Sequence, residues 1–275
     1  VGQPIEYASL PGWSQSRLKV LLSQTPAHLR KLLDSDTDRT PSEAMLRGQL
    51  VEDLVQRPAT ARDHWTAAPE GIDRRTKEGK QIWAEFQEAA AGKQIVSNEI
   101  YAMAEIMAHN VLATPAALQL IAGADAQRTL AWTDPETGLA CKGLCDWLRE
   151  DFDGATICDL KTVQPGDGSP SGFARWLARW NGDVQAAYYC DGAAAVLGVP
   201  VESVRWAWIV AEADEIAAVS VYTASPRMIA SGRAKYRRCL EIVRDCEASG
   251  AWTGYSVEPV ELDPVRWSDW SGDAD

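Results

Sequence analysis

Three β-favouring runs follow one another closely between residues 126 and 163, and this stretch limits the possible folds more than any other in the chain. Arg128 to Thr133 reads as a strand. Asp134-Pro135-Glu136-Thr137-Gly138 has the composition of a turn, and Leu139 to Arg149 reads as the returning strand. Asp153-Gly154 is a second turn, and Ala155 to Thr162 is a third strand. Short turns between consecutive strands predict an antiparallel meander, the start of a sheet.

The same stretch carries the chemistry. Side chains alternate along a strand, so Asp159 and Lys161 share a face while Leu160 points to the other. Asp146 lies on the preceding strand, within reach of Asp159 across a short turn. Asp-x-Lys arises by chance on many solvated strands. Here Ile157-Cys158 precede it and Thr162-Val163 follow it, which marks a half-buried strand where unpaired charges are rare. Two carboxylates brought together on such a sheet repel each other unless a cation lies between them. Mg²⁺, a hard ion, prefers oxygen ligands of this kind. A lysine beside them can orient hydroxide and stabilise negative charge developing on a phosphate.

Around this sheet the chain reads mostly as helix. Leu18, Leu21 and Leu22 have the i, i+3, i+4 spacing of one helix face, and Thr25-Pro26 opens a second helix. Ser42 begins a third, which carries Leu50, Val51, Leu54 and Val55 and ends before Pro58. Residues 61–80 are polar and are expected to be a loop, with Arg74, Arg75, Lys77 and Lys80 on solvated surface or against a phosphate backbone. Helical spacing returns over 81–123 and breaks at Thr114-Pro115. After a loop rich in glycine and proline, residues 173–198 read as one long helix. Val204 to Val210 and Ala217 to Tyr222 read as strands, and Ser225-Pro226 opens a last helix to about Ser249. The tail from Trp252 to Trp270 is expected to be irregular. Helices, a small sheet, a helix, strands and a helix predict an α/β or α+β core with a helical N-terminal region, without repeats or a linker.

Composition narrows the function classes. No apolar run approaches the ~20 residues of a membrane span. Val1-Gly2-Gln3-Pro4-Ile5-Glu6 lacks the basic start and apolar stretch of a signal peptide, so a cytoplasmic protein with no membrane partner is expected. Six cysteines without a CxxC pair fit that compartment as buried or free thiols. A net charge of −12 argues against broad non-specific nucleic-acid binding but leaves room for a local basic channel. Of the 12 tryptophans, most are expected in the core and one or two free to stack on bases.

Two further signals lie on helices. Gln185 and Tyr189 are four residues apart and face the same way, either as packing residues with polar tips or as hydrogen-bonding groups for a phosphate. Gly48 and Glu52 share a face of the third helix, where glycine permits close approach of another backbone. Glu52 alone reads as an ordinary surface carboxylate.

Taken together, the chain resembles the RecE-like exonucleases, a phage and prophage branch of the PD-(D/E)XK nuclease superfamily. The likeness runs from Ser14-Gln15-Ser16-Arg17-Leu18 and Thr25-Pro26-Ala27-His28-Leu29 through Arg74-Arg75-Thr76-Lys77-Glu78-Gly79-Lys80 and Trp132 to Gly138. It reaches Gly250-Ala251-Trp252-Thr253-Gly254-Tyr255. The resemblance implies an α/β PD-(D/E)XK nuclease core, a central mixed sheet flanked by helices. It implies one domain over 1–275, with a helical part to about 125 and a catalytic core over about 126–250. Asp146 and Asp159 would hold Mg²⁺ or Mn²⁺, Lys161 would be the catalytic lysine, and Gln185 with Tyr189 would match the QxxxY motif. Cys145 stands where the family usually has proline, and Gly182 where tyrosine is frequent. Glu52 replaces the histidine of the Gly-x-x-x-His motif and would supply a third carboxylate to the metal. The implied activity is metal-dependent degradation of linear double-stranded DNA, leaving single strands for an annealing protein in recombination. The family and the acidic charge together suggest a homo-oligomer with a shared basic channel, drawing on Arg74, Arg75, Lys77 and Lys80 or on Arg233, Lys235, Arg237 and Arg238. A single-strand or flap nuclease is the alternative enzyme. A DNA-binding or assembly protein that has lost catalysis is the alternative outside enzymes.

Overall fold

The computed structural model describes residues 7–35, 40–256 and 258–263. The meander forms as the turn sequences require, with β3 (Asp125–Thr133), β4 (Ala140–Asp151) and β5 (Gly154–Val163) antiparallel to one another. Asp134 caps the first turn, its Oδ1 accepting from the amides of Glu136 and Thr137. β5 then pairs in parallel with β6 (Val204–Glu212), and β6 pairs antiparallel with β7 (Val219–Thr223). The result is a mixed sheet of five strands in the order β3-β4-β5-β6-β7. A parallel pair needs a long crossover. It is made by α8 (Pro170–Trp180) and α9 (Gly182–Leu197).

Helices cover both faces. On one face α9 and the last helix, α10 (Pro226–Ser249), bury Tyr188, Tyr236, Leu240 and Val243 against Ile157, Trp208 and Val210, with Leu18 of α1 (Gln15–Leu18) and Leu29 of α2 (Pro26–Asp34). On the other face α3 (Glu43–Gln56) and α6 (Asn98–Ala113) bury Leu50, Leu54, Ala104 and Met107 against Trp147, Cys158, Leu160 and Ile209. β5 serves both cores by alternation, Ile157 facing one and Cys158 the other. All six cysteines are buried and free. Among the described residues no helix is long and apolar enough to cross a membrane.

Three expectations need correcting. Residues 61–80 are not a loop. They contain the short helix α4 (Ala61–His64), strand β1 (Trp65–Ala67) and the start of α5 (Lys77–Ala89), which Thr76 caps by accepting from the Gly79 amide. β1 pairs in parallel with β2 (Gln94–Val96), which interrupts the helical stretch before α6. Three-residue strands are too short to show a period, and β1 is held by burial of Trp65 and its indole N–H bond to Asp53. After α6, α7 (Pro115–Ile121) starts at the expected Thr114-Pro115 break. The long helix over 173–198 is in fact two helices. Asn181, at φ 50° and ψ 50°, ends α8 and begins α9 in a left-handed conformation that asparagine tolerates better than most residues. Residues 258–263 of the tail have no helix or strand, and its continuation from 264, like Val1 to Glu6, lies outside the described residues.

α9 and α10 meet at Gly232, where an added Cβ would lie 1.9 Å from the Asp183 carbonyl oxygen. Backbone cannot yield as a side-chain tip can. Gly232→Ala is therefore expected to destabilise the fold by about 1–3 kcal/mol, read from urea denaturation. An unchanged midpoint would contradict this packing.

Candidate active site

The regular pairing of β4 with β5 stops at Trp147↔Cys158. One step further, Asp146 would face Asp159. Here the strands part, and the Asp146 carboxylate reaches across to accept the Leu160 amide at Oδ2, 3.0 Å away. On its other side Asp146 should pair with Gln127, but that step is missing between Ala126↔Trp147 and Arg128↔Cys145. Gln127 sits at φ 53°, in the left-handed region. The alternation of β4 slips at this point: Cys141 and Cys145 belong to one core, Trp147 to the other, and Leu148 to the first again. The carboxylate therefore lies in a local break of the sheet, where backbone groups need side-chain partners.

Five of the six residues expected at the site come together around this break, Asp146 among them. Lys161 Nζ lies 2.5 Å from Asp159 Oδ2, and Gln185 of α9 donates its amide to Asp159 Oδ1 at 2.7 Å. Asp159 is 3% exposed, so its charge depends on these partners. From the other layer α3 crosses β5 closely, with Gly48 so near that a Cβ would meet Thr162 Oγ1 at 3.4 Å. One helical turn on, Glu52 accepts at Oε1 from Gln56 (2.9 Å) and Gln127 (2.5 Å). Gln56 also reaches the Asp146 carbonyl at 3.4 Å. Tyr189 stands apart. It is buried, its ring lies under Gly143, and its hydroxyl oxygen accepts from the Leu144 amide at 3.4 Å. It thus braces β4 one turn of helix from Gln185.

Electrostatics tie the cluster together. Burial, then the charges of Glu52 and Asp159, raise the Asp146 pKa well above the usual carboxylate value against the pull of Lys161 and the Leu160 amide. Burial, then Asp159, raise that of Glu52 despite Lys161 and the two glutamine amides. Burial works against the Lys161 ammonium, but Asp159, Asp146 and Glu52 outweigh it and hold its pKa above the ordinary lysine value. Among the described residues Lys161 is the one cation in contact with these three carboxylates, which leaves the cluster short of positive charge.

Sequence reasoning missed three residues here. Gln56 sits four after Glu52, a spacing that would have placed it on the same face. Gln127 gave no signal, because its placement follows from an irregular backbone. Lys19, in the 3-10 turn Lys19–Leu22, donates to the Trp180 carbonyl at 3.1 Å. Burial first, then the nearby Lys161, push its pKa down to about 8 despite Asp159 and Asp183. The expected basic stripe on α10 is not free: Arg233 pairs with Asp191, Lys235 with Asp183, Arg237 with Glu136 and Arg238 with Glu241. These cations are engaged with the chain's own carboxylates.

The donor set fits a hard divalent cation. It offers carboxylate oxygens, with Asp159 raising the pKa of Glu52 and both raising that of Asp146, and Asp159 Oδ2 is buried with no hydrogen-bond donor beyond its ion pair with Lys161. Among the described residues no three acidic, histidine or cysteine side chains already converge as a metal cage. Asp159 is taken up by Lys161 and Gln185, and Glu52 by its two amides.

A family model described as a PDDEXK-like domain of unknown function (DUF3799) matches residues 14–261. Among solved structures, the crystal structure of a "Putative exonuclease" from Eubacterium rectale superposes with a TM-score of 0.60 at 13% identity, over 99% of this chain and 96% of that one. At that identity the likeness shows a shared fold. The structure of SSO0001 aligns over 72% of this chain and 88% of that one at 13% identity, with a TM-score of 0.29 too low to bear on the fold. No curated protein matches.

In the fold, Glu52 and Asp146 keep protons that the unfolded chain loses above about pH 4. Their contribution to stability is therefore present in acid and is lost as pH rises through their raised pKa values. In EDTA, Tm is expected to fall across that rise, and Asp146→Asn to flatten the fall. Mg²⁺ or Mn²⁺ should restore Tm at neutral pH in the wild type. A wild-type Tm indifferent to metal, and a pH profile unchanged by Asp146→Asn, would contradict this electrostatic picture.

Proposed function

The chain belongs to the family of PDDEXK-like domains described as DUF3799, and from that premise we propose that it is a metal-dependent nuclease that degrades linear double-stranded DNA from its ends. The observation that carries the reading is the pair Asp146 and Asp159 at the parting of β4 and β5, with Lys161 on the Asp159 carboxylate. On this reading Asp146, Asp159 and Glu52 hold a divalent cation, Mg²⁺ or Mn²⁺, which when bound supplies Lewis-acid stabilisation and a more acidic water.

The chain's own groups do the rest. Lys161 brings an ammonium to the place where negative charge builds on the scissile phosphate. Gln185 fixes the Asp159 carboxylate by holding one oxygen, leaving the other toward Lys161. Glu52 is held in place by Gln56 and Gln127. Tyr189 keeps β4 at its distance from α9 through the Leu144 amide. Lys19 adds a second ammonium whose field reaches Lys161 and Asp159.

The finer reading follows the RecE-like resemblance: single strands left for an annealing protein in recombination, in the cytoplasm, by one nuclease domain whose helical part to about residue 125 supplies Glu52. The net charge of −12, with Arg233, Lys235, Arg237 and Arg238 of α10 already paired, favours a homo-oligomer that pools basic surface such as Arg74 and Lys80.

Wild-type protein is expected to digest linear duplex DNA with Mg²⁺ or Mn²⁺, to stop in EDTA, and to spare closed circles. Asp159→Asn and Lys161→Ala should each lower turnover by about two orders of magnitude or more with near-native circular dichroism. Wild-type digestion by folded Asp159→Asn protein would refute the assignment, and equal cutting of circles would replace the exonuclease with an endonuclease.

A further inference from the structure

A pocket of about 440 Å³ adjoins the carboxylate cluster and shares Glu52 with it. Its walls come from α3, the small β1–β2 sheet and the irregular turn of β3. Four of its polar groups are amides, Gln49 and Gln56 from α3, Gln94 from β2 and Gln127 from β3, beside Glu52, Asp53, Arg57 and His64. We infer that this pocket receives the base of the nucleotide next to the scissile phosphate, a reading that rests on the nuclease assignment and extends it.

Charge distinguishes a base from a phosphate. Arg57, the one arginine in the wall, is bound to the buried Asp53 carboxylate, its Nε at 2.7 Å from Oδ1. His64 Nδ1 lies 3.3 Å and the Trp65 indole nitrogen 3.0 Å from the other Asp53 oxygen. Asp53 thus absorbs the positive charge in the wall, and Glu52 adds a carboxylate. A phosphate there would meet more negative charge than positive. A neutral ligand with donors and acceptors along one edge suits it better, and a glutamine amide matches such an edge because it offers both at once. The volume suits a small planar ligand.

The backbone gives a second, independent observation. Gln127 holds a left-handed conformation that a glutamine seldom adopts, at φ 53° within β3. Strain of that kind persists where the surrounding structure enforces it, and it gathers at binding sites. Here it takes Gln127 out of the β3–β4 ladder and turns its amide toward Glu52, where pocket and carboxylates meet. Through Gln56 and Gln127, a base in the pocket would be coupled to the position of Glu52.

The test is a binding measurement that needs no turnover. Wild-type protein in EDTA and Asp159→Asn protein are titrated into fluorescein-labelled DNA duplexes whose terminal nucleotides are either ordinary or abasic, with anisotropy as the readout. Ordinary ends should bind about tenfold tighter than abasic ends. The double variant Gln49→Ala, Gln94→Ala, on exposed positions chosen to leave the core intact, should bring that ratio toward one. A ratio near one in the wild type, or an undiminished ratio in the double variant, overturns the pocket assignment. Loss of all DNA binding overturns it together with the nuclease reading. If the wild type discriminates between ends yet cuts no DNA with Mg²⁺ or Mn²⁺, base binding by the pocket stands, while the nuclease reading and the placement beside a scissile phosphate fail.

Discussion

Asp146 and Asp159 stand on neighbouring strands at the point where those strands cease to pair. A sheet that opens in its middle exposes backbone groups that must be satisfied, and Asp146 answers one of them by taking the Leu160 amide. The same opening removes the neighbouring chain that would otherwise fill the space beside Asp159. The rest of the architecture supports this break. β6 pairs with β5 along its whole length and keeps it straight, α9 brings Gln185, and α3 comes close enough at Gly48 to bring Glu52.

The cost of the arrangement is electrostatic. Three carboxylates and one well-placed lysine cannot all be ionised comfortably in a half-buried site, and the raised pKa values of Asp146 and Glu52 express this. Along α10, Arg233, Lys235, Arg237 and Arg238 each meet a carboxylate. The imbalance at the break therefore contrasts with these paired charges. A divalent cation would correct it, and a phosphodiester would then have a positive centre to approach in an otherwise acidic protein.

Much of this was legible in the sequence, for physical reasons that differ from element to element. The meander was readable because its turns are written in Asp, Pro and Gly and its strands in β-branched and apolar residues. Asp159 and Lys161 followed from period-two alternation, and α3 from its Ser42 cap and apolar spacing. The resemblance to a known family, more than any spacing, pointed to Glu52, and the structure puts it within the field of both aspartates. Gln127, Lys19 and the pocket were not legible. They depend on a left-handed residue, on a turn packed against a distant helix, and on two three-residue strands, none of which leaves a periodic trace. The break at Asn181 was present in the sequence as Asn181-Gly182, but the apolar pattern on both sides hid it.

The central claim is that the break between β4 and β5 is a divalent-cation site. A crystal structure of the protein soaked with Mn²⁺, with data collected for anomalous scattering from manganese, tests it most directly. The account predicts an anomalous peak bounded by the carboxylates of Asp146 and Asp159, with Glu52 turned toward it and Lys161 released from Asp159. A peak confined to other acidic surface positions, with Asp159 still held by Lys161 and Gln185, would contradict it.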